Sequence, residues 1–338
     1  MKWTMSSKPV VALALAADWM AQMFFPEDLQ RLREAVDVRD PARRADARTL
    51  SPLLGDATIA ITGWGTPRFD VDLLAHAPYL RLIAHSGGSV RGLVTPAVYE
   101  RGIRITTAAA GNAVPVAEFT VAMMVAMLKQ IPWIIEPYTR GDAKAVGRRV
   151  ASIRELRDLS IGLVGASRVG REVIRLLCGY PRLTVKLYDP HLSSAGAQAL
   201  GVEHVSLEEV CRCDVVSIHA PDLPETRHMI NARTLALLPD HAVLINTARG
   251  ALIDESALVL EVRKRPLYVL LDVTDPEPPE KNSPLRREAN ILLTPHLAGA
   301  MKEARRDMGR IAIEETLRFV RGEPLQHEVT REMLPTQA

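Results

Sequence analysis

The alternation of short apolar runs with longer stretches of helical periodicity, strongest from residue 161 onward, limits this chain to few folds. Residues 161–164, 183–188, 214–219, 242–246, 268–272 and 291–294 are each apolar enough to be strands buried on both faces. Between them, 168–177, 207–211, 232–238 and 255–263 carry apolar residues at a spacing that suits crossover helices. Strand, helix and strand, repeated in this way, predict a parallel doubly wound α/β sheet. The first hundred residues follow the pattern more weakly, with candidate strands at 10–15, 57–62, 80–84 and 103–106, so a second, smaller α/β domain is expected. A long apolar helix over 113–128, with Asn112 placed to cap it, links the two. Segment 132–158 holds prolines, glycines and six Arg/Lys with no clear period; an arm that packs on a second subunit and an exposed charged connection both fit it. A last helical pattern, 304–320, returns to the first domain.

Charge and composition exclude several classes of function. With 42 Lys+Arg against 40 Asp+Glu over 338 residues there is no basic stripe, and aromatic residues at 4% leave few rings for base stacking, so nucleic-acid binding is not expected. The apolar run 10–17 stops at Asp18, too short to cross a bilayer, and the start of the chain lacks the charged region and cleavage site of a secretory leader. No membrane association is expected. Cys178, Cys211 and Cys213 are too few for a disulfide framework, and a C-x-C pair without a second Cys or His cluster is poor zinc spacing. We expect no metal, and reduced, mostly buried thiols in a cytoplasmic protein.

The run Ile161-Gly-Leu-Val-Gly165-Ala-Ser167-Arg168-Val169-Gly170 leads from a strand straight into a helix, the setting that a dinucleotide-binding turn requires. Gly165 permits the tight turn and Gly170 a close approach of helix to strand, while the amides that open the helix turn their partial positive charge toward a pyrophosphate. Ser167 stands where a middle glycine is usual. Its side chain either crowds the phosphate or its hydroxyl donates to it. Asp189, nineteen residues beyond Gly170 at the end of the next strand, is placed to meet the adenosine ribose hydroxyls. That favours NAD, because the 2′-phosphate of NADP brings like charges together and no arginine immediately follows Asp189.

Three further runs fall at successive strand ends, where an open α/β sheet holds its ligand: Leu244-Ile-Asn-Thr247-Ala248-Arg249-Gly250, Leu271-Asp272-Val-Thr-Asp-Pro-Glu277-Pro278 and Leu293-Thr-Pro-His296-Leu-Ala-Gly299. Each run carries a chemically capable side chain, Arg249, Glu277 or His296. With Asn112-Ala-Val-Pro-Val116-Ala-Glu118, Ser217-Ile-His219-Ala220-Pro221, Pro224-Glu-Thr226 and the glycine turn, seven motifs stand in one order. In these the chain resembles the D-isomer-specific 2-hydroxyacid dehydrogenase family over nearly its whole length.

The resemblance implies a Rossmann-type NAD-binding domain over 109–299 and a discontinuous, flavodoxin-like substrate domain over 1–108 and 300–338. It implies that Arg249, Glu277 and His296 are catalytic, and that the chain works as a homodimer on a small 2-keto or 2-hydroxy acid. The residue types suit that reaction: a forked guanidinium grips the carboxylate and polarises the carbonyl, and a histidine gives up a proton near neutral pH, helped by a carboxylate that favours the imidazolium and fixes the ring. The cofactor site implied is Gly165, Ser167, Arg168, Val169, Gly170 and Asp189, then His219, Ala220, Pro221 and Thr226, then Thr247, Ala248, Arg249, Asp272 and His296. Substrate contacts fall on Arg249, His296 and a glycine loop of the smaller domain, Gly87, Gly88 and Ser89. Ser89 stands there where a second glycine is usual, and Arg91-Gly92 where an Asp or Asn commonly follows. Relatives by fold narrow less well. Formate dehydrogenases carry Gln in place of Glu277, which argues against them, whereas phosphite dehydrogenases keep the trio. The C-terminal binding protein corepressors, which sense NAD, also share the fold and the trio; near-neutral charge favours an enzyme.

Overall fold

Short runs of buried aliphatic residues build two parallel sheets in the computed structural model, which describes residues 8–41 and 44–334. The first sheet comprises β1 (Val10–Ala14), β2 (Asp37–Arg39), β3 (Ile59–Thr62), β4 (Leu82–His85) and β5 (Arg104–Thr107), in the order β2-β1-β3-β4-β5. This is the flavodoxin-like order. Its apolar runs are continuous because both faces are covered: Ala12, Ala14, Ala60 and Ile83 enter one core, and Val11, Leu13, Ile59 and Ile61 the other. The helix Lys302–Arg321 supplies Met308, Ala312, Ile313 and Leu317 to the second of these cores. Burying one such aliphatic side chain stabilises by about 1.5–3 kcal/mol.

The second sheet comprises β6 (Ser160–Val164), β7 (Thr184–Tyr188), β8 (Glu203–His204), β9 (Val215–Ile218), β10 (Val243–Asn246), β11 (Tyr268–Leu271) and β12 (Ile291–Leu293). Its order, β12-β11-β10-β9-β6-β7-β8, reverses between β6 and β9, so a crevice opens beyond their carboxyl ends. This is a Rossmann-like α/β fold. Val216, Ile218, Leu244 and Val269 face one core, whereas Ile161, Leu163, Val215 and Ile245 face the other.

By contacts the chain divides into two units, Met1–Asn112 with Ala300–Gln337 and Ala113–Gly299. Relative to the bounds expected from sequence, residues 109–112 go with the first unit, and the outermost residues of those bounds lie outside the described ones. The linking helix runs over Ala109–Leu128, so Asn112 is inside it and does not cap it. The hydroxyl that accepts from the Ala109 amide is that of Thr107, at 3.3 Å, and the Asn112 carboxamide instead accepts from Ala300 N at 2.5 Å. By length and composition this helix is apolar enough to cross a membrane, and it places Ala117, Val121, Met124, Met127 and Leu128 in a protein core.

Segment 132–158 is not irregular. It contains most of the helix Ile131–Thr139 and all of Ala143–Val150. Pro132 sits in the first turn, where no amide is needed, and the Asp142 carboxylate caps the second helix by accepting from Ala145 N at 2.9 Å. Neither helix buries a residue fully, and the prolines break the apolar period, so the sequence carried little helical signal. The edge strands β2 and β8 escaped notice for a related reason: their residues are mostly exposed.

Candidate active site

The turn after β6 depends on two glycines. Gly165 has φ +97°, and a Cβ on it would lie 2.8 Å from Ala220 N; a Cβ on Gly170 would lie 2.2 Å from Gly165 O. Both positions therefore require glycine, and the turn lies against the segment that follows β9. The helix Arg168–Leu177 begins here, with Ser167 as its N-cap, its Oγ accepting from Gly170 N at 3.3 Å. Neither sequence-derived role of Ser167 includes this bond. Ser167→Ala should lower stability by about 1 kcal/mol and Ser167→Gly by only a few tenths, as read by thermal unfolding of the cofactor-free protein.

Asp189, at the end of β7, reaches back to this turn. Its carboxylate accepts from Ala166 N at 2.7 Å and from His191 N at 2.8 Å. Arg171 Nε donates to Ala166 O at 3.0 Å, which puts a guanidinium beside the turn that the sequence reading did not single out. A helix N-terminus, a glycine backbone and a carboxylate at the neighbouring strand end suit the pyrophosphate and ribose of a dinucleotide. Among the described residues there is no group of His, Cys, Asp and Glu that would hold a metal ion.

Beyond β10, Asn246 folds the next turn: its carboxamide accepts from Ala248 N at 3.0 Å and donates to Arg249 O at 2.8 Å. Arg249 follows in extended conformation, with its guanidinium donating to Ala248 O at 2.6 Å. A Cβ on Gly250 would fall 2.0 Å from the Thr274 carbonyl carbon, so the Arg249 turn lies directly on the segment that leads to Glu277. Glu277 Oε1 is 2.6 Å from His296 Nδ1. An ionised carboxylate only accepts, so Nδ1 carries the proton and Nε2 is left to exchange one with a ligand. The two side chains are 41% and 50% exposed, accessible to a small molecule.

Asp272 holds the histidine loop. Its buried carboxylate accepts from Thr294 Oγ1 at 2.6 Å and from the amides of Leu297 and Ala298 at 2.9 Å, and its carbonyl accepts from His296 N at 2.9 Å. His296 itself has φ +50°, a left-handed conformation that these bonds maintain. The sequence placed Asp272 and Asn246 within motifs; the structure gives each a positioning role. Thr226 likewise shapes its own loop, accepting from Leu223 N at 2.8 Å and donating to Pro221 O at 2.7 Å. Thr247 Oγ1 lies 3.1 Å from Thr120 Oγ1 on the long helix. Ala220 is buried, and Val169 packs at the edge of the core. Arg168, the first residue of its helix, is exposed.

The glycine loop of the other unit follows β4. Thr107 Oγ1 donates to Gly87 O at 3.0 Å and also to Gly88 O. A Cβ on Gly87 would sit 2.3 Å from His85 Nε2, so only glycine fits above that ring. His85 is buried with Nδ1 2.9 Å from Thr62 Oγ1, and burial pushes its imidazole down to about 4. Ser89 Oγ accepts from Arg91 N at 3.4 Å, which turns this hydroxyl back on its own loop.

Residues 121–298 match the family model described as D-isomer specific 2-hydroxyacid dehydrogenase, NAD binding domain. The chain is 30% identical to the D-3-phosphoglycerate dehydrogenase of Methanocaldococcus jannaschii over 92% of its own length and 59% of that protein's. It therefore spans about three-fifths of that relative. It is also 30% identical to the glyoxylate reductase of Aeropyrum pernix, over 92% of this chain and 94% of the other. The apo structure of Rhodotorula graminis D-mandelate dehydrogenase superposes with a TM-score of 0.83 at 23% identity, covering 96% and 98% of the two chains, a likeness of fold alone.

Proposed function

Because the chain belongs to the D-isomer-specific 2-hydroxyacid dehydrogenase family, we propose that it interconverts a small 2-keto acid and its D-2-hydroxy acid with NAD. The observation that carries this reading is the 2.6 Å pair of Glu277 and His296, joined through close backbone packing to the turn that bears Arg249. When bound, NADH would supply the hydride for reduction, and NAD+ would accept it in the reverse direction. Arg249 grips the substrate carboxylate and polarises its carbonyl, and His296 Nε2 gives the proton to the carbonyl oxygen or takes it back in the reverse direction. Glu277 stabilises the imidazolium and keeps Nε2 facing outward. The unit that carries Gly87, Gly88 and Ser89 serves as the substrate domain.

The test is NADH absorbance with glyoxylate, hydroxypyruvate, pyruvate, phenylpyruvate, 2-oxoglutarate and 3-phosphohydroxypyruvate, each repeated with NADPH. Turnover of at least one acid is expected, and NADH should be preferred because Asp189 repels a 2′-phosphate. Comparable efficiency with NADPH would remove that role from Asp189. Turnover of phosphite alone would make it a phosphite dehydrogenase, and tight NADH binding with no turnover would make it a sensor of NAD.

We propose further that the chain works as a cytoplasmic homodimer. Ile131, Ile135, Tyr138 and Val150, on the two helices after the long one, are exposed large apolar residues on one contiguous stretch of chain. Light scattering at micromolar concentration should give twice the chain mass, and a monomer would refute the dimer.

A further inference from the structure

The open edge of the first sheet is covered from the far end of the chain. β5 lies last in the strand order, and segment 326–329 runs antiparallel beside it: Thr106 bridges Glu328, Thr107 N donates to His327 O at 3.0 Å, and Val329 N donates to Ile105 O at 2.8 Å. Arg104 clamps this pairing through a bidentate bond to Glu328, at 2.6 and 2.5 Å. A buried carboxylate fixes the segment from behind. Glu315, on the helix Lys302–Arg321 and 1% exposed, accepts from the amides of Gln326 and His327 at 2.9 and 3.0 Å with one oxygen. Its other oxygen accepts from Arg318 Nε at 3.1 Å. An anion in a core is costly unless its bonds are made, so a slip of the segment along β5 would strand this one. One register is thereby selected.

The pairing reaches Thr107, which holds the glycine loop after β4. The Ala109 amide donates to Thr107 Oγ1 at 3.3 Å, so the hydroxyl's one hydrogen is left for the loop, shared between Gly87 O, at 3.0 Å, and Gly88 O. Ala108 N also donates to Gly87 O, at 2.9 Å. In a trans peptide the N–H points opposite to its own carbonyl. Two carbonyls drawn toward Thr107 therefore turn the amides of Gly88 and Ser89 away from it, to one side. Adjacent amides aimed together suit a carboxylate, and rotation of either peptide would part them.

We propose that Glu315 and Thr107 are positioning residues for the substrate: the buried carboxylate sets segment 326–329, the segment sets Thr107, and Thr107 sets the two peptides of the substrate loop. Neither residue touches the substrate. The inference rests on the reading of Gly87, Gly88 and Ser89 as substrate contacts, and it adds what fixes them.

Thr107→Val keeps the shape of the side chain and removes the hydroxyl. It should raise KM for the preferred keto acid about fivefold, the loss of one neutral hydrogen bond, with kcat within about twofold and NADH affinity unchanged. Thr107→Ser restores the hydroxyl and should bring KM to within about twofold of the parent's. Glu315→Gln should raise KM as Thr107→Val does. Glu323→Gln is the control, because its carboxylate pairs with Arg321 on the surface, outside this series of bonds, and KM should stay at the parent's value. Amide hydrogen exchange of the cofactor-free protein, followed by mass spectrometry, tests the positioning without turnover. Peptides covering 86–92 should exchange faster in Thr107→Val and Glu315→Gln, while those covering β1 and β3 keep the parent's rates. Unchanged exchange at the loop, faster exchange throughout the first unit, a loss carried by kcat with KM unchanged, or no recovery in Thr107→Ser would each overturn the proposal. Should Glu315→Gln fail to fold, Glu328→Gln loosens the same segment from its exposed side and should reproduce the faster loop exchange; a loop like the parent's would remove the segment's role. A parent that turns over no acid of the panel would instead remove the proposed function, and loop exchange would then decide alone whether Glu315 and Thr107 fix these peptides.

Discussion

Arg249→Ala should keep its affinity for NADH and lose about 10³-fold in kcat/KM for the preferred keto acid, on the order of 4 kcal/mol of transition-state stabilisation. The size follows from asking one guanidinium to do two things. It holds the carboxylate in a fixed fork, and it places a donor on the oxygen that gains negative charge as hydride arrives. The loss of NADH affinity should be small because the glycine turn, Asp189 and the start of the helix Arg168–Leu177 stand apart from this turn in the sequence and carry their own hydrogen bonds. Arg249→Lys should recover part of the rate and not the specificity, since a point charge cannot make both contacts at once. Fluorescence titration of NADH beside steady-state rates separates the two effects. Equal loss of NADH binding and turnover would place Arg249 on the cofactor and remove it from the substrate.

How far the sequence reveals this arrangement depends on what each segment buries. Strands such as β3 and β11 are covered on both faces, so every residue had to be apolar or small, and an unbroken apolar run is easy to see. β8 has both residues exposed and left no run at all. The helices Ile131–Thr139 and Ala143–Val150 have no fully buried face, and their prolines and glycine interrupt whatever period remains. The start of the long helix was misplaced because Asn112 has the side chain of a good cap, whereas the chain had already turned helical at Ala109.

The site divides along similar lines. Residues whose chemistry is their signal, Arg249, Glu277 and His296, were legible as types at strand ends, and Glu277 and His296 are in hydrogen-bond contact. Residues that act by holding others were not. Asn246, which folds the Arg249 turn, looks in sequence like an ordinary member of a motif, and Asp272, expected there as a cofactor-site residue, has a carboxylate that takes three bonds from the histidine loop. Ser167, expected at the phosphate, also accepts from an amide of the helix that it opens, a bond with no mark in the sequence pattern. A one-dimensional pattern gives the residue and its neighbours along the chain; the direction of a short polar side chain is decided by whichever backbone amide the fold brings within 3 Å or so.

His296→Ala should suppress reduction and oxidation alike by about 10²- to 10⁴-fold, the range that general acid–base catalysis supplies, with NADH affinity close to the parent's. Both directions fall because one atom, Nε2, serves as acid in reduction and as base in oxidation. Added imidazole should restore part of the rate, which a merely structural role for the ring would not allow. Glu277→Gln is the finer test. The carboxylate 2.6 Å from Nδ1 stabilises the protonated ring, and an amide in its place removes that charge while keeping an acceptor of similar shape. Reduction needs a proton at Nε2, so the variant should lose part of kcat for the keto acid while keeping its affinity for NADH. Salt should blunt the parent's advantage, because both groups are substantially exposed and an exposed pair is screened. Turnover in Glu277→Gln equal to the parent's at low and high salt would show that the carboxylate only aims the ring.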